Sequence, residues 1–220
     1  MRHPDQIGRL GATPPAPGRP AIFLALASAL VFAALTWQVA ADGPLLSPDE
    51  RLGNAIRTTT AIPSPLAEFF ADLGNMTVAL PILAATLAYT TYRTRTWRPA
   101  VTAALTMALV PALVAPLQSL LARPGPPPMS PETGFYPSGH AATAAVAYGL
   151  CALLLRPALR GREPAYGCVV LNAAVGLGLV RQGYHWPVDV VGSWCLAVVL
   201  LMGLHLAQAR AQRQRSRPRT

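Results

Sequence analysis

Phe135-Tyr136-Pro137-Ser138-Gly139-His140 stands directly before a long apolar run that begins at Ala141. Proline fixes φ, serine is a preferred N-cap, and glycine lets a ligand approach the backbone closely, so this stretch predicts a turn that starts a helix. The first N–H groups of a helix have no partner within it and lie at the positive end of its dipole, which favours a bound anion. The sequence therefore predicts an anion site at this turn, with His140 beside it.

A second stretch, His185-Trp186-Pro187-Val188-Asp189, also stands where a polar loop meets an apolar run. Pro187 suits the first position of a helix, and the Asp189 carboxylate is spaced to reach one ring nitrogen of His185. A carboxylate fixes the tautomer of such an imidazole, which then acts as a nucleophile or base, and a second histidine can protonate the leaving group. Two histidines, a carboxylate and an anion site together indicate phosphoryl transfer.

Each of these residues also has a structural interpretation. Ser138 can be an N-cap and nothing more, and Asp189 can be a first-turn acid that favours the helix dipole. A single histidine is more often a packed or interfacial residue than a catalyst. The catalytic hypothesis requires both histidine stretches to open on the same side of a membrane, which the rest of the chain can test.

The composition is that of an integral membrane protein. The 220 residues are 52% hydrophobic and only 12% charged, and the mean hydropathy is +0.36, which is too apolar for an ordinary soluble domain. All 18 basic residues are arginines. They are spread between apolar segments without interleaved aromatics, so we interpret them as topology determinants and expect no nucleic-acid partner. Cys151, Cys168 and Cys195 lack metal-ligand or CxxC spacing and are interpreted as apolar filler, so no metal or other cofactor is expected.

Six apolar runs approach or reach the roughly 20 residues that a helix needs to cross a bilayer. We predict an all-α fold with six transmembrane helices over residues 21–41, 73–92, 99–122, 139–155, 165–180 and 187–207. Residues 1–20 are predicted to be a disordered cytoplasmic arm, residues 21–207 the membrane domain, and residues 208–220 a basic cytoplasmic tail.

The loops carry their own signals. Residues 63–72 place Leu66, Phe69 and Phe70 at helical spacing, which predicts a short amphipathic helix at the membrane interface in the first outer loop. Ser47-Pro48-Asp49-Glu50, earlier in that loop, is typical of a helix start. Residues 123–137 are so rich in proline that we expect a stiff segment with neither helix nor sheet.

The arginines determine the predicted orientation, because cytoplasmic loops collect positive charge. With six spans, all of them except Arg51, Arg57, Arg123 and Arg181 fall in the two termini and the two loops on the same side as the termini. Both termini are therefore predicted to be cytoplasmic. The two histidine stretches then share the outer face, which is the condition set by the catalytic hypothesis.

Pro137-Ser138-Gly139-His140 before one span and the His185 to Asp189 motif before a later one resemble the type 2 phosphatidic acid phosphatase family of membrane lipid phosphatases. The resemblance covers about residues 73–207. The family pattern is a lysine, six residues and Arg-Pro, then Pro-Ser-Gly-His, then an arginine, five residues and His-x-x-x-Asp. The resemblance implies that His185 is the nucleophile that forms a phosphohistidine, that Asp189 orients it, and that His140 is the acid for the leaving alkoxide. Ser138 and Gly139 are implied to bind phosphate oxygens.

This chain departs from the pattern at its cationic positions. Aligning Arg123-Pro124-Gly125-Pro126 with the family's frequent Arg-Pro-Arg-Pro puts Gln118 at the lysine position, and the other register puts Pro116 there. Leu179 stands at the arginine position of the last motif, with Arg181 displaced toward His185. We expect Arg123 and Arg181 to supply the charge around the phosphate, with Gln118 as a weaker donor.

The resemblance implies a metal-independent lipid phosphatase of the plasma (inner) membrane, with a site on the extracytoplasmic side. Its expected partner is a lipid phosphate of the phosphatidate, phosphatidylglycerol phosphate or polyprenyl diphosphate type. Two alternatives stay open at this point. One is a catalytically silent relative that binds lipid phosphate or serves as a scaffold, and the other is a phosphotransferase to an alcohol.

Overall fold

The computed structural model describes residues 19–159 and 163–216. Within these residues the chain is all-helical, as predicted. The helices are α1 (Arg19–Ala40), α2 (Leu46–Thr58), α3 (Ser64–Asp72), α4 (Met76–Thr94), α5 (Arg98–Leu121), a 3-10 helix (Pro127–Met129), α6 (Gly139–Leu159), α7 (Glu163–Arg181) and α8 (Pro187–Ser216). The proline-rich loop thus contains one short 3-10 helix, and a single bridge joins Pro124 to Thr133, where neither helix nor sheet was expected.

Among the residues that the structure describes, five helices, α1 and α5 to α8, are long and apolar enough to cross a membrane. Helices α3 and α4 meet that requirement together, with a bend of 49° at the break between them, which gives up to six spans. Asn75 ends the break by capping α4, since its side chain accepts a hydrogen bond from Thr77 N. The chain is therefore a multi-pass membrane protein, as its composition predicted.

Helix α3 packs against α7 through small residues. Ala67 and Ala71 are buried on one side of α3, while Leu66 and Phe69 on the other side are exposed. A Cβ added at Gly178 of α7 would lie 2.5 Å from the Ala67 carbonyl oxygen. Only glycine permits this approach of two helix backbones, a common device in membranes.

Helix α6 forms the centre of the bundle and contacts α4, α5, α7 and α8. Residues 141–150 of this helix are all buried, and half of them are alanine. Because α6 is surrounded by helices, small side chains on every face allow close packing. The His140 end of this helix is therefore held firmly by its neighbours.

Helix α1 contacts α8 and supports the loop that leads into α6. The buried Tyr136 ring stacks on Phe32, with ring centroids 6.2 Å apart, and its hydroxyl lies 3.0 Å from Thr36 Oγ1. Burial raises the pKa of Tyr136 to about 12, so the phenol stays protonated and can donate to Thr36, whose own hydroxyl donates to the Phe32 carbonyl oxygen. These contacts fix the position of the loop before α6.

The predicted terminal segments are only partly described. Residues 1–18 of the predicted arm, residues 160–162 and residues 217–220 of the predicted tail lie outside the described residues. Helix α8 continues to Ser216, so the beginning of the predicted tail, from residue 208, extends the last helix.

Candidate active site

Ser138 caps α6. Its Oγ accepts a hydrogen bond from Ala141 N at 3.2 Å, and the residue is fully buried. The Ser138 N–H donates to the Asp189 carbonyl oxygen at 3.1 Å, and its carbonyl oxygen accepts from Ser193 Oγ at 2.8 Å. Ser138 Oγ therefore serves as the N-cap acceptor of α6, and the Ser138 backbone joins the start of α6 to the start of α8.

The next two backbone N–H groups are open. Within the described residues, the N–H groups of Gly139 and His140 donate to no acceptor. Both residues line one cavity, and His140 is exposed. The start of α6 thus presents two free donors and an imidazole at the position where the sequence predicted an anion site.

His185 lies on the wall of the same cavity, although it is mostly buried. Its ring centroid is 6.5 Å from that of His140, and the Phe135 ring packs edge-on at 5.6 Å. Nδ1 of His185 lies 3.5 Å from Asp189 Oδ2, which is within ion-pair range but makes no hydrogen bond. Contacts between catalytic groups often tighten when substrate binds. The structure therefore brings His140, His185 and Asp189 together.

The Asp189 carboxylate is buried, and each of its oxygens accepts a hydrogen bond. Oδ1 accepts from Arg123 Nη1 at 2.5 Å, and Oδ2 accepts from Trp186 N at 2.9 Å. Asp189 is the third residue of α8, so the second bond is half of a capping box, in which an acid reaches back to the N-cap N–H. Asp189 thus serves its helix as a cap and lies beside His185 at the same time.

Arg123 also pairs with Asp49, so Asp49, Arg123 and Asp189 form one buried ion cluster. The sequence did not identify Asp49 as part of the site. Its Oδ2 accepts from Arg123 Nη2 at 2.5 Å, and its Oδ1 accepts from Val188 N at 2.9 Å. Burial raises the pKa of Asp49, and Arg123 opposes that rise. The predicted helix start in the first outer loop contained this acid, but only packing of α2 against α8 distinguishes it from its exposed neighbour Glu50.

Arg123 and Arg181 both bind protein acceptors, which differs from the expectation that they face a phosphate. Burial lowers the pKa of Arg123, but Asp189 and Asp49 outweigh it and raise the pKa overall. Arg181 donates through Nε to the Ile62 carbonyl oxygen at 3.1 Å and through Nη1 to that of Arg57 at 2.8 Å. Neither arginine lines the cavity.

Gln118, the residue at the family's lysine position, does line the cavity. Its Nε2 donates to the Pro137 carbonyl oxygen at 2.9 Å, which keeps the amide beside the start of α6. Asn75, at the break between α3 and α4, lines the cavity as well and was not predicted.

The cavity has a volume of about 410 Å³ and two chemically different parts. Its polar part contains the two histidines and two amides described above. Its apolar part is formed by residues of α4 and α5, namely Met76, Val110, Pro111, Val114 and Ala115. A molecule with a polar end and a hydrocarbon chain suits such a surface.

Comparison with known proteins relates this geometry to a family. The family model of the PAP2 superfamily matches residues 72–213, which include both histidine motifs. The crystal structure of the first transmembrane PAP2 type phosphatidylglycerolphosphate phosphatase from Bacillus subtilis is similar, with a TM-score of 0.74 and 20% sequence identity. The similarity covers 90% of this chain and 100% of that chain, and at this identity it shows a shared fold. No curated protein matches the sequence.

Proposed function

The chain belongs to the PAP2 superfamily, and from this premise we propose that it is a membrane lipid phosphatase that hydrolyses a phosphomonoester or diphosphate headgroup. The observation that carries the proposal is that one cavity is lined by His140, by His185 and by the start of α6, where two N–H groups are free. Its apolar part, between α4 and α5, supports a lipid as the substrate. The phosphatase of the same fold from Bacillus subtilis acts, by its description, on phosphatidylglycerol phosphate.

In the first chemical step, Nε2 of neutral His185 attacks phosphorus while Nδ1 faces Asp189. The bond between phosphorus and the leaving oxygen breaks, and protonated His140 gives its proton to that oxygen. The product is a lipid alcohol, or a lipid monophosphate when the substrate is a diphosphate. The phosphoryl group stays on His185 as a phosphohistidine.

In the second step, a water oxygen attacks phosphorus and the P–N bond breaks. The water gives a proton to His140, which is now neutral, and inorganic phosphate leaves with both histidines back in their starting states. The exposure of His140 supports this role, because water can reach it.

The phosphoryl oxygens are held by donors of the start of α6. The N–H groups of Gly139 and His140 and the Gln118 amide take the place of the family's lysine in this proposal. Ser138 shapes the turn as its N-cap, since its Oγ accepts a hydrogen bond from Ala141 N. Arg123 does not line the cavity and binds the Asp189 carboxylate instead. Arg181 of α7 donates to the Arg57 carbonyl oxygen and so connects α7 to the first outer loop.

The distribution of arginines supports cytoplasmic termini and a site on the extracytoplasmic side of the plasma membrane. The histidine cavity lies at the end of α6 opposite Arg156, which belongs to a predicted cytoplasmic loop. A lipid headgroup in the outer leaflet would then meet the cavity directly.

The proposal is tested by phosphate release from purified protein in detergent, with phosphatidate, phosphatidylglycerol phosphate and a polyprenyl diphosphate as substrates. We expect release from at least one of them, loss of release in His185→Ala, and full release in the control His205→Ala, which changes a histidine far along α8. Folded wild-type protein without activity on all three would favour the silent lipid-binding relative. Transfer of phosphate to an added alcohol would favour a phosphotransferase.

A further inference from the structure

We propose that Asp49 is a positioning residue of the active site, which holds Arg123 and the start of α8 so that Asp189 faces His185 with its negative charge intact. This inference rests on the proposed phosphatase function. Asp49 lies in α2, before the residues that the family model matches, and it does not line the cavity. Its effect on the reaction must therefore pass through the residues it contacts.

The first contact is the ion pair with Arg123. The side chains of Asp49, Arg123 and Asp189 are 1%, 3% and 0% exposed, so all three charges are removed from solvent. A buried guanidinium between two carboxylates has both of its terminal nitrogens engaged and little freedom to move. Asp49 thereby fixes the Arg123 nitrogen that binds Asp189 Oδ1.

The second contact is the hydrogen bond from Val188 N to Asp49 Oδ1. Val188 N–H is one of the first donors of α8 and has no partner within that helix. Asp49 caps it from another helix, while Asp189 caps the Trp186 N–H from within. The turn that carries both His185 and Asp189 is consequently held by two carboxylates, one on each side.

Asp49 also changes the net charge beside His185. When Asp49 is ionised, Asp49, Arg123 and Asp189 together carry one net negative charge. When Asp49 is neutralised, Arg123 balances Asp189 and no net charge remains. A negative charge favours the positively charged imidazole that forms when His185 attacks phosphorus. Asp49 therefore supplies the charge balance that lets Asp189 act on His185 as a carboxylate.

Several ionisable groups surround His185. Asp189 Oδ2 lies 3.5 Å from its Nδ1, and the His140 ring centroid lies 6.5 Å from its own. Arg123 and Asp49 extend the cluster behind Asp189, and the adjacent Tyr184 donates to Glu68. Asp49 can be neutralised without changing the others. Asp49→Asn is suitable, because the amide oxygen can still accept from Val188 N.

The experiment compares Asp49→Asn with Glu50→Gln, a matched change of the adjacent, exposed acid on α2. We measure kcat and KM for phosphate release. In Asp49→Asn we expect kcat to fall about tenfold with KM unchanged, because the negative charge that favours the positively charged imidazole of the reacting His185 is lost while the residues that line the cavity stay in place. Glu50→Gln should match the wild type in both quantities.

Wild-type kcat in Asp49→Asn would overturn the inference and leave the phosphatase function standing. Inactive wild-type and Glu50→Gln proteins would instead remove the function and this inference with it. Should Asp49→Asn fold poorly, Asp49→Glu is measured in its place, because it keeps the negative charge and displaces the carboxylate by one methylene. We expect it to lower kcat with KM unchanged, and wild-type kcat in Asp49→Glu would overturn the inference.

Discussion

Replacing Arg123 by methionine would leave two carboxylates facing each other in a site closed to solvent. Removing one partner of a buried ion pair typically costs about 3–5 kcal/mol, because the remaining charge is unpaired. Here Arg123 contacts Asp49 and Asp189 at 2.5 Å each, so both acids lose their counter-charge at once. We expect Arg123→Met to lower the free energy of unfolding by an amount at the upper end of that range.

The assay is denaturant unfolding in detergent micelles, followed by tryptophan fluorescence. The control is Arg51→Met, since Arg51 is an exposed arginine of α2 whose hydrogen bond is to Ser47 Oγ, and surface changes of this kind usually stay within about 0.5 kcal/mol. Adding Asp49→Asn to Arg123→Met removes one of the two unpaired charges. The double variant should regain roughly half of the lost stability.

The same experiment separates two roles for Arg123. An arginine held open for a phosphate is unpaired in the free protein, so its removal would leave stability unchanged. Equal unfolding midpoints for Arg123→Met and Arg51→Met, with no effect of Asp49→Asn on the former, would refute the buried ion cluster. That result would favour the phosphate-binding role expected from the sequence.

Three further predictions concern the mechanism, the packing and the topology. His140→Ala should cut hydrolysis of a lipid phosphate at least about tenfold more than that of an aryl phosphate, whose acidic leaving group needs little proton assistance, and equal losses would contradict the acid role. Gly178→Leu should destabilise the protein by about 1–3 kcal/mol in the unfolding assay, since its Cβ would collide with Ala67 O, whereas Gly167→Leu, with open space around it, should not. A reporter fused after Arg219 should be active only if it functions in the cytoplasm, and activity of a periplasmic reporter there would reverse the topology.

The membrane spans and the two helix starts of the site were predictable because their signals are local. A run of apolar residues specifies a span by itself, and the proline, serine and glycine before His140 specify where α6 begins, at Gly139. Pro187 and Asp189 specify the start of α8 in the same way. Gln118 was identified because it occupies the lysine position of the family's first motif, and it lines the cavity.

The ion cluster was not predictable from the sequence, because its members come from three distant segments. Nothing local distinguishes Asp49 from Glu50, and only the docking of α2 buries the first and leaves the second exposed. For the same reason Arg123 was expected to face phosphate, since its carboxylate partners are invisible until the helices pack. Long-range electrostatic pairing is determined by tertiary structure, whereas capping and hydropathy are determined by neighbours in the chain.

The dependence of the cluster on α2 limits how parts of such proteins can be exchanged. All the motif residues fall within residues 72–213, yet Arg123 draws one of its two counter-charges from Asp49. A chimera that joined residues 72–213 to the first two helices of a relative without an acid at that position would inherit every motif and an unbalanced cation. Crossovers between homologues should therefore be compatible only when the acid of α2 and the arginine after α5 are inherited together, as one unit of recombination.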